Sequence, residues 1–277
     1  MIIDSHQHFW KLERGDYDWL TADLAAIFKN FLPADLKPHL DRADIDGTIV
    51  VQATDTEAET EFLLSLADKH DWILGVVGWV DMEAPLAPAR IRNFSEHDKF
   101  VGIRPMIQGI EDTGWMLKPE LASAVEALIE HKLTFDALVL PRHLKPLKTF
   151  LHRYPELKVI IDHGAKPEIR DGTWQPWADE LHTIATTSKA YCKLSGLVTE
   201  AAEDWTDENI KPYARHILEV FGTNRTVFGS DWPVLKLAGT YKTWFEFAQT
   251  LVPQQDRPAV FGANALEFYF GTERRPT

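Results

Sequence analysis

The chain has 277 residues, 45% hydrophobic and 26% charged, the proportions of an ordinary globular protein. A net charge of −13, from 42 acidic against 29 basic residues, argues against a nucleic-acid partner. No apolar run approaches the roughly 18 residues of a membrane span, and the single cysteine, Cys192, excludes an internal disulfide or a multi-cysteine metal cluster.

The first predicted strand, 2–8, runs Ile2-Ile3-Asp4-Ser5-His6-Gln7-His8. Side chains alternate along a strand, so His6 and His8 should stand side by side at its carboxyl end. No basic segment leads an apolar stretch here, so no secretory signal is expected and the cytoplasm is the expected location. Residues 11–40 form a long connection too rich in aromatics (Tyr17, Trp19, Phe28, Phe31) for disorder, and are expected to cover the end of the sheet. Further strands are predicted at 48–53, 73–80, 100–105, 133–139, 157–163, 190–195 and 225–231. Helical spacing marks 56–70, 120–131, 143–153 and 207–221. Eight strand–helix units point to an α/β fold, a (β/α)8 TIM-like barrel that can be distorted, as one domain over 1–277. An open doubly wound sheet is the alternative, but it would carry a Gly-rich phosphate loop after the first strand, and none is present. The tail from Glu273 to Thr277 is expected to fray.

In such barrels the chemistry lies at the carboxyl ends of the strands. Those ends offer His6 and His8, Gln52, Arg104, Asp136, His163 with Lys166 beyond it, Lys193 and Ser195, and Asp231. Neutral imidazole is the commonest metal ligand and the usual proton carrier near neutral pH, so the histidines here could serve in either way. The structural alternatives are a core histidine at His163, a turn cap at Asp231 and a buried ion pair at Arg104. Asp136 could accept from a substrate hydroxyl, pair with Lys193 or Arg104, or cap a loop. Lys166 could touch substrate oxygens or stand in solvent. Trp115, Trp174, Trp177 and Trp232 follow strands 4, 6 and 8, where they could stack on a sugar ring or simply pack loops.

Five segments carry a more specific signal: Asp4-Ser5-His6-Gln7-His8, Gly102-Ile103-Arg104, Ile161-Asp162-His163-Gly164-Ala165-Lys166-Pro167, Gly229-Ser230-Asp231-Trp232-Pro233 and Phe261-Gly262-Ala263-Asn264-Ala265. With them the chain resembles the amidohydrolase superfamily, in its sugar-lactonase branch, over essentially its whole length. The resemblance implies hydrolysis of a sugar-acid lactone of the L-fucono or L-rhamnono type, with Asp231 activating water. It implies catalytic roles for His6, His8 and His163, and substrate contacts from Arg104, Lys166, Gln52, Trp115 and Trp232. Of Asp162 and His163, which alternation sends to opposite faces, it selects His163 for the site.

Members with two metals use a carbamylated lysine on strand 4 and a histidine on strand 5. This chain has Arg104 and Asp136 there, so no binuclear centre is expected and no organic cofactor; what remains of the pattern, His6, His8, His163 and Asp231, could hold one zinc or similar divalent ion. Two other functions compete: a mononuclear-metal decarboxylase of the same superfamily acting on an aromatic or enoic acid, and a barrel that binds a ligand without turning it over. The partner expected is a small-molecule lactone; the sequence says nothing of oligomeric state.

Overall fold

The computed structural model describes residues 1–271, so the expectation for Glu273 to Thr277 concerns residues outside that range. Each of the eight apolar runs becomes a strand: β1 (Ile3–Gln7), β2 (Gly47–Val51), β3 (Ile73–Gly78), β4 (Phe100–Ile103), β5 (Thr134–Ala137), β6 (Lys158–Ile161), β7 (Tyr191–Leu194) and β8 (Thr226–Phe228). They pair in parallel, in sequence order. Between them run α1 (Pro33–Arg42), α2 (Glu57–Ala67), α3 (Ala87–Ser95), α4 (Ala122–Glu130), α5 (Leu144–Arg153), α6 (Trp177–Thr187) and α7 (Asp207–Phe221), with α8 (Tyr241–Leu251) and α9 (Asn264–Phe270) after β8. The helices bury one stripe each. In α7 it is Ile210, Tyr213, Ala214, Ile217 and Phe221, the three-and-four spacing that sets an amphipathic face against the sheet.

The barrel is distorted at one seam. β8 ends at Phe228, and contact with β1 is completed by residues beyond it: a single parallel bridge joins Gln7 to Trp232. Asp231 N donates to His6 O at 2.8 Å and His8 N donates to Trp232 O at 2.7 Å. On the other side of β1, its register with β2 shifts between Asp4 and Gln7. Such a bulge re-aims the side chains that follow, and here those include His6.

Residues 33–42 of the long first connection are helix, not loop. Pro33 sits at the start of α1, where its missing N–H costs nothing, and the Asp35 carboxylate accepts from Leu32 N at 2.9 Å. The remaining stretch folds over the barrel mouth as expected. Trp10 and Phe31 exchange backbone hydrogen bonds, and the Trp19 indole donates to Ala53 O at 2.7 Å. Beneath it the buried Glu59 accepts from Ala53 N and Thr54 N, both at 2.9 Å.

Burial pushes the Glu59 carboxyl up from 4.5 to about 7. Its folded-state pKa is raised, so its contribution to stability is complete below pH 4.5 and is lost as pH rises through 7. Thermal melts of Glu59→Gln and the parent chain should therefore diverge between pH 5 and 8, the parent losing ground as pH rises. Parallel curves would reject the assignment.

The opposite end of the barrel is plugged by α9. Phe268, Tyr269 and Phe270 pack with Ile3, Ile49, Val77, Ile160 and Val227. Asn264 fixes this end of the barrel, donating to Thr223 O and Thr226 O at 2.8 Å each. Gly262 lies against the first residue so closely that a Cβ would come within 2.1 Å of Met1 O. No helix among the described residues is long and apolar enough to cross a membrane.

Candidate active site

Three imidazoles surround one carboxylate oxygen. Asp231 Oδ1 lies 3.2 Å from His8 Nε2, 3.7 Å from His6 Nε2 and 3.8 Å from His163 Nε2. The rings of His6 and His8 are 4.9 Å apart, edge to face, as neighbours on one strand end should be. His8 is fixed by Nδ1, 2.8 Å from Val51 O at the end of β2, and His163 by Nδ1, 2.8 Å from Ser195 Oγ beyond β7. Since a carbonyl only accepts, His8 Nδ1 is the donor there.

The strand ends behave differently from simple alternation. Asp162 follows Ile160 into the barrel interior, as period two dictates. His163 should then point outward, but its φ of 53° is left-handed and its ring turns to the mouth as well. The expectation that Asp162 and His163 take opposite faces is thus corrected: β6 has already ended at Ile161. Asp231 is bent in the same way, with φ 57°, three residues past the end of β8. Left-handed backbone at two non-glycine residues stores strain at the cluster, held by the hydrogen bonds around it.

Under the cluster lies a second layer of buried charge. Lys193 Nζ donates to Asp136 Oδ2 at 2.6 Å and to His6 Nδ1 at 2.9 Å, and pairs with Asp162 Oδ1 at 2.9 Å. Tyr269 OH from α9 donates to the same Asp136 oxygen at 2.8 Å. Asp136 is therefore the partner of Lys193, one of the roles left open by the sequence. Arg104 Nη1 is 3.4 Å from Asp162 Oδ2, and its Nη2 donates to Gln52 O.

Burial favours a neutral Asp231, but the positive character of His163, the His8 hydrogen bond and the remaining imidazoles outweigh it and hold the carboxyl well below the ordinary range. Burial is also the main reason the His163 imidazole falls from 6.5 to about 4. For His6, burial and then the adjacent Lys193 charge push the ring well below its usual value. Asp162 stays ionised because Lys193, His6 and Arg104 overcome the cost of burying it.

A cavity of about 270 Å³ opens above this layer, lined by His8, Arg104, His163, Lys166 and Asp231. Its lining also includes apolar side chains, among them Trp19, Leu24, Met106 and Leu138, together with the polar Gln108 and Thr199. Lys166 Nζ bonds Gln108 Oε1 at 3.1 Å and pairs with Glu200 Oε1 at 2.9 Å, so it is anchored at the rim rather than free in solvent. A larger groove of about 710 Å³ between α1 and α8 holds neither Asp231 nor its imidazoles.

Three expected substrate contacts are not brought to the cavity. Trp115 is buried with its indole on Glu83, and Trp232 is buried against Phe9 and Phe31. The side chain of Gln52 donates to Arg104 O at 2.6 Å, bracing the arginine from behind. Trp174 and Trp177 pack on Tyr213 and His216. The aromatic face that does line the cavity is Trp19, which sequence reasoning placed in the covering connection but not in the site.

For a metal, His6, His163 and Asp231 bring one donor atom each within 4.8 Å of one another. Two nitrogens and a carboxylate oxygen suit zinc or a similar divalent ion, so the residues present fit one.

A model of the amidohydrolase family matches residues 3–271. The chain is 41% identical over 274 residues to an L-fucono-1,5-lactonase from Burkholderia ambifaria, with 96% of this chain and 94% of that one covered. It is 34% identical over 287 residues to an L-fucono-1,5-lactonase from Burkholderia multivorans, with 96% and 95% covered. Among solved structures, an amidohydrolase from Burkholderia multivorans with bound zinc superposes with a TM-score of 0.92 at 32% identity, over 97% of this chain and 99% of that one.

Proposed function

We infer the reaction from one premise, that this chain belongs to the amidohydrolase family: it hydrolyses the cyclic ester of a sugar-acid lactone to the open-chain aldonate. The observation that carries this beyond the family is the meeting of Asp231, His8 and His163 with a cavity of about 270 Å³ lined by both apolar and polar side chains. A volume in that range suits a single sugar ring. Likeness over nearly the full chain to two L-fucono-1,5-lactonases narrows the substrate to a fucono-type or related aldonolactone.

Asp231 orients a water against the lactone carbonyl and receives its proton. His8 Nε2, 3.2 Å away, can share that proton. With Nδ1 already donating to Val51 O, a hydrogen bond from Nε2 to Asp231 requires the ring to carry both protons, which makes this pair a store for the proton in transit. The proton then returns to the ring oxygen as the ester bond breaks. Arg104, facing the cavity, supplies positive potential for the carbonyl oxygen as it gains charge, and the uncharged His163 ring beside it can add an N–H dipole. His6, His163 and Asp231 would hold a divalent ion, which when bound supplies Lewis-acid stabilisation of that same charge.

Lys166 holds hydroxyls of the ring rather than the reacting carbon. Lys166→Met should raise KM about tenfold with kcat little changed, as expected for loss of binding felt equally by substrate and transition state. A fall confined to kcat would move Lys166 into the chemical step.

The function is tested by following proton release across a panel of sugar lactones, with and without stringent chelation and added zinc. Turnover of a fucono-, rhamnono- or galactono-type lactone is expected. No proton release from any lactone, together with metal-dependent release of carbon dioxide from an aromatic or enoic acid, would replace it with the decarboxylase alternative. Tight lactone binding without turnover would point to the binding barrel.

A further inference from the structure

We propose that Glu200 is a specificity-determining residue: by matching the charge of Lys166 at the cavity rim, it reserves the site for uncharged lactones and turns away those bearing a carboxylate. The inference rests on the lactonase reading above and deepens it by fixing the charge class of the substrate.

Among the described residues, the lysine and arginine side chains lining the cavity are Lys166 and Arg104. A lone ammonium or guanidinium there would draw in a carboxylate. Each of these two already faces one. Arg104 Nη1 is 3.4 Å from Asp162 Oδ2, and its Nη2 donates to Gln52 O. Lys166 Nζ is 2.9 Å from Glu200 Oε1. Asp162 belongs to the buried layer beneath, where it also pairs with Lys193. Glu200 instead meets its lysine at the rim, half-buried, on the turn that follows β7.

The lysine is held from both ends. Its backbone closes a left-handed turn: His163, Gly164, Ala165 and Lys166 have φ of 53°, 58°, 64° and 50°, and Lys166 N donates to His163 O at 2.9 Å. Its ammonium is tied to Gln108 Oε1 at 3.1 Å as well as to Glu200, so the loops after β4, β6 and β7 meet on it. An ammonium donates three hydrogens, and these contacts leave one for an oxygen of the ligand. A ring hydroxyl can take it. A carboxylate in the same place would stand beside Glu200 and share the cavity with the ionised Asp231, against a lysine whose charge is already matched. Like charges so close oppose binding, and a hydroxyl meets no such opposition.

The test compares galactonolactone with the galactarolactone of matching configuration, which carry a hydroxymethyl and a carboxylate at the terminal carbon. The parent chain should favour the neutral lactone; preference for the charged one would overturn the proposal. In Glu200→Gln the ratio of kcat/KM for the charged over the neutral lactone should rise about tenfold, and adding Lys166→Met should abolish the gain. A glutamate that merely supported its loop would lower both rates together and leave the ratio where it was. An unchanged or lower ratio, or a gain that survives the loss of Lys166, would therefore refute the assignment. Calorimetric affinities for the same two lactones, in the Asp231→Asn background with and without Glu200→Gln, give the ratio without turnover. A parent chain that hydrolyses no lactone, with the affinity ratio still shifted, would sink the lactonase reading and leave Glu200 in its role. Hydrolysis with neither ratio shifted would do the reverse.

Discussion

Asp231→Asn should lower kcat for lactone hydrolysis by about 10³-fold while leaving the melting temperature within a few degrees of the parent. The amide keeps the shape of the carboxylate and the backbone bond from residue 231 to His6 O, so the seam between β8 and β1 should persist. What disappears is the negative oxygen toward which His6, His8 and His163 all turn. An amide oxygen can orient a water but cannot take its proton. Full proton release by this variant would remove Asp231 from the base role. The carboxylate stays ionised at any working pH because the imidazoles outweigh its burial. Protonation of Asp231 should therefore contribute no acid limb to the rate profile between pH 5 and 8.

Gly196→Ala should be nearly as damaging, although it adds one methyl group to a residue with no chemical role. Gly196 has φ 63°, and a Cβ there would lie 2.4 Å from His163 Nδ1 and 2.5 Å from its Cγ. The ring cannot retreat without breaking its bond to Ser195 Oγ, and its own backbone is already left-handed. Displacing it by a fraction of an ångström to an ångström should cost about 100-fold in kcat/KM. The backbone and the clash together should cost about 1–3 kcal/mol of stability. Gly172→Ala provides the control. It has almost the same φ, 64°, but nothing lies within 4 Å of its Cβ position, so it should show the conformational cost without the loss of activity. Equal activity in the two variants would mean that His163 is not pinned as described.

These residues also show how far the sequence could be read. The eight strands and the helix over 207–221 were legible because parallel strands are apolar on both faces and α7 buries one clean stripe. The strand ends were not. The predicted strands 157–163 and 225–231 run past the observed β6 and β8, and the excess includes His163 and Asp231. Their left-handed φ values are set by tertiary hydrogen bonds, which period-two reasoning does not contain. The same reasoning could not tell which way a strand-end residue faces. Gln52 and Arg104 both end strands, but only Arg104 reaches the cavity, while Gln52 supports it from behind. Trp115 and Trp232 follow strands as a stacking platform would, yet their indoles are packed among other aromatic and polar side chains. Trp19 was visible only as part of an aromatic-rich connection. No local pattern linked Tyr269 to Asp136, because they lie 133 residues apart in sequence.

That last contact sets an order of events during synthesis. Tyr269 belongs to α9, and its hydroxyl completes the partners of an aspartate that also holds Lys193, which in turn holds His6 on β1. Until α9 has left the ribosome, the lower end of the barrel should be open and the charges inside it should face water. The nascent chain should thus gain its water-activating chemistry only once α9 is free to pack into the barrel. A ribosome-stalled chain ending before residue 264 should be inert toward lactones even where its early strands have paired.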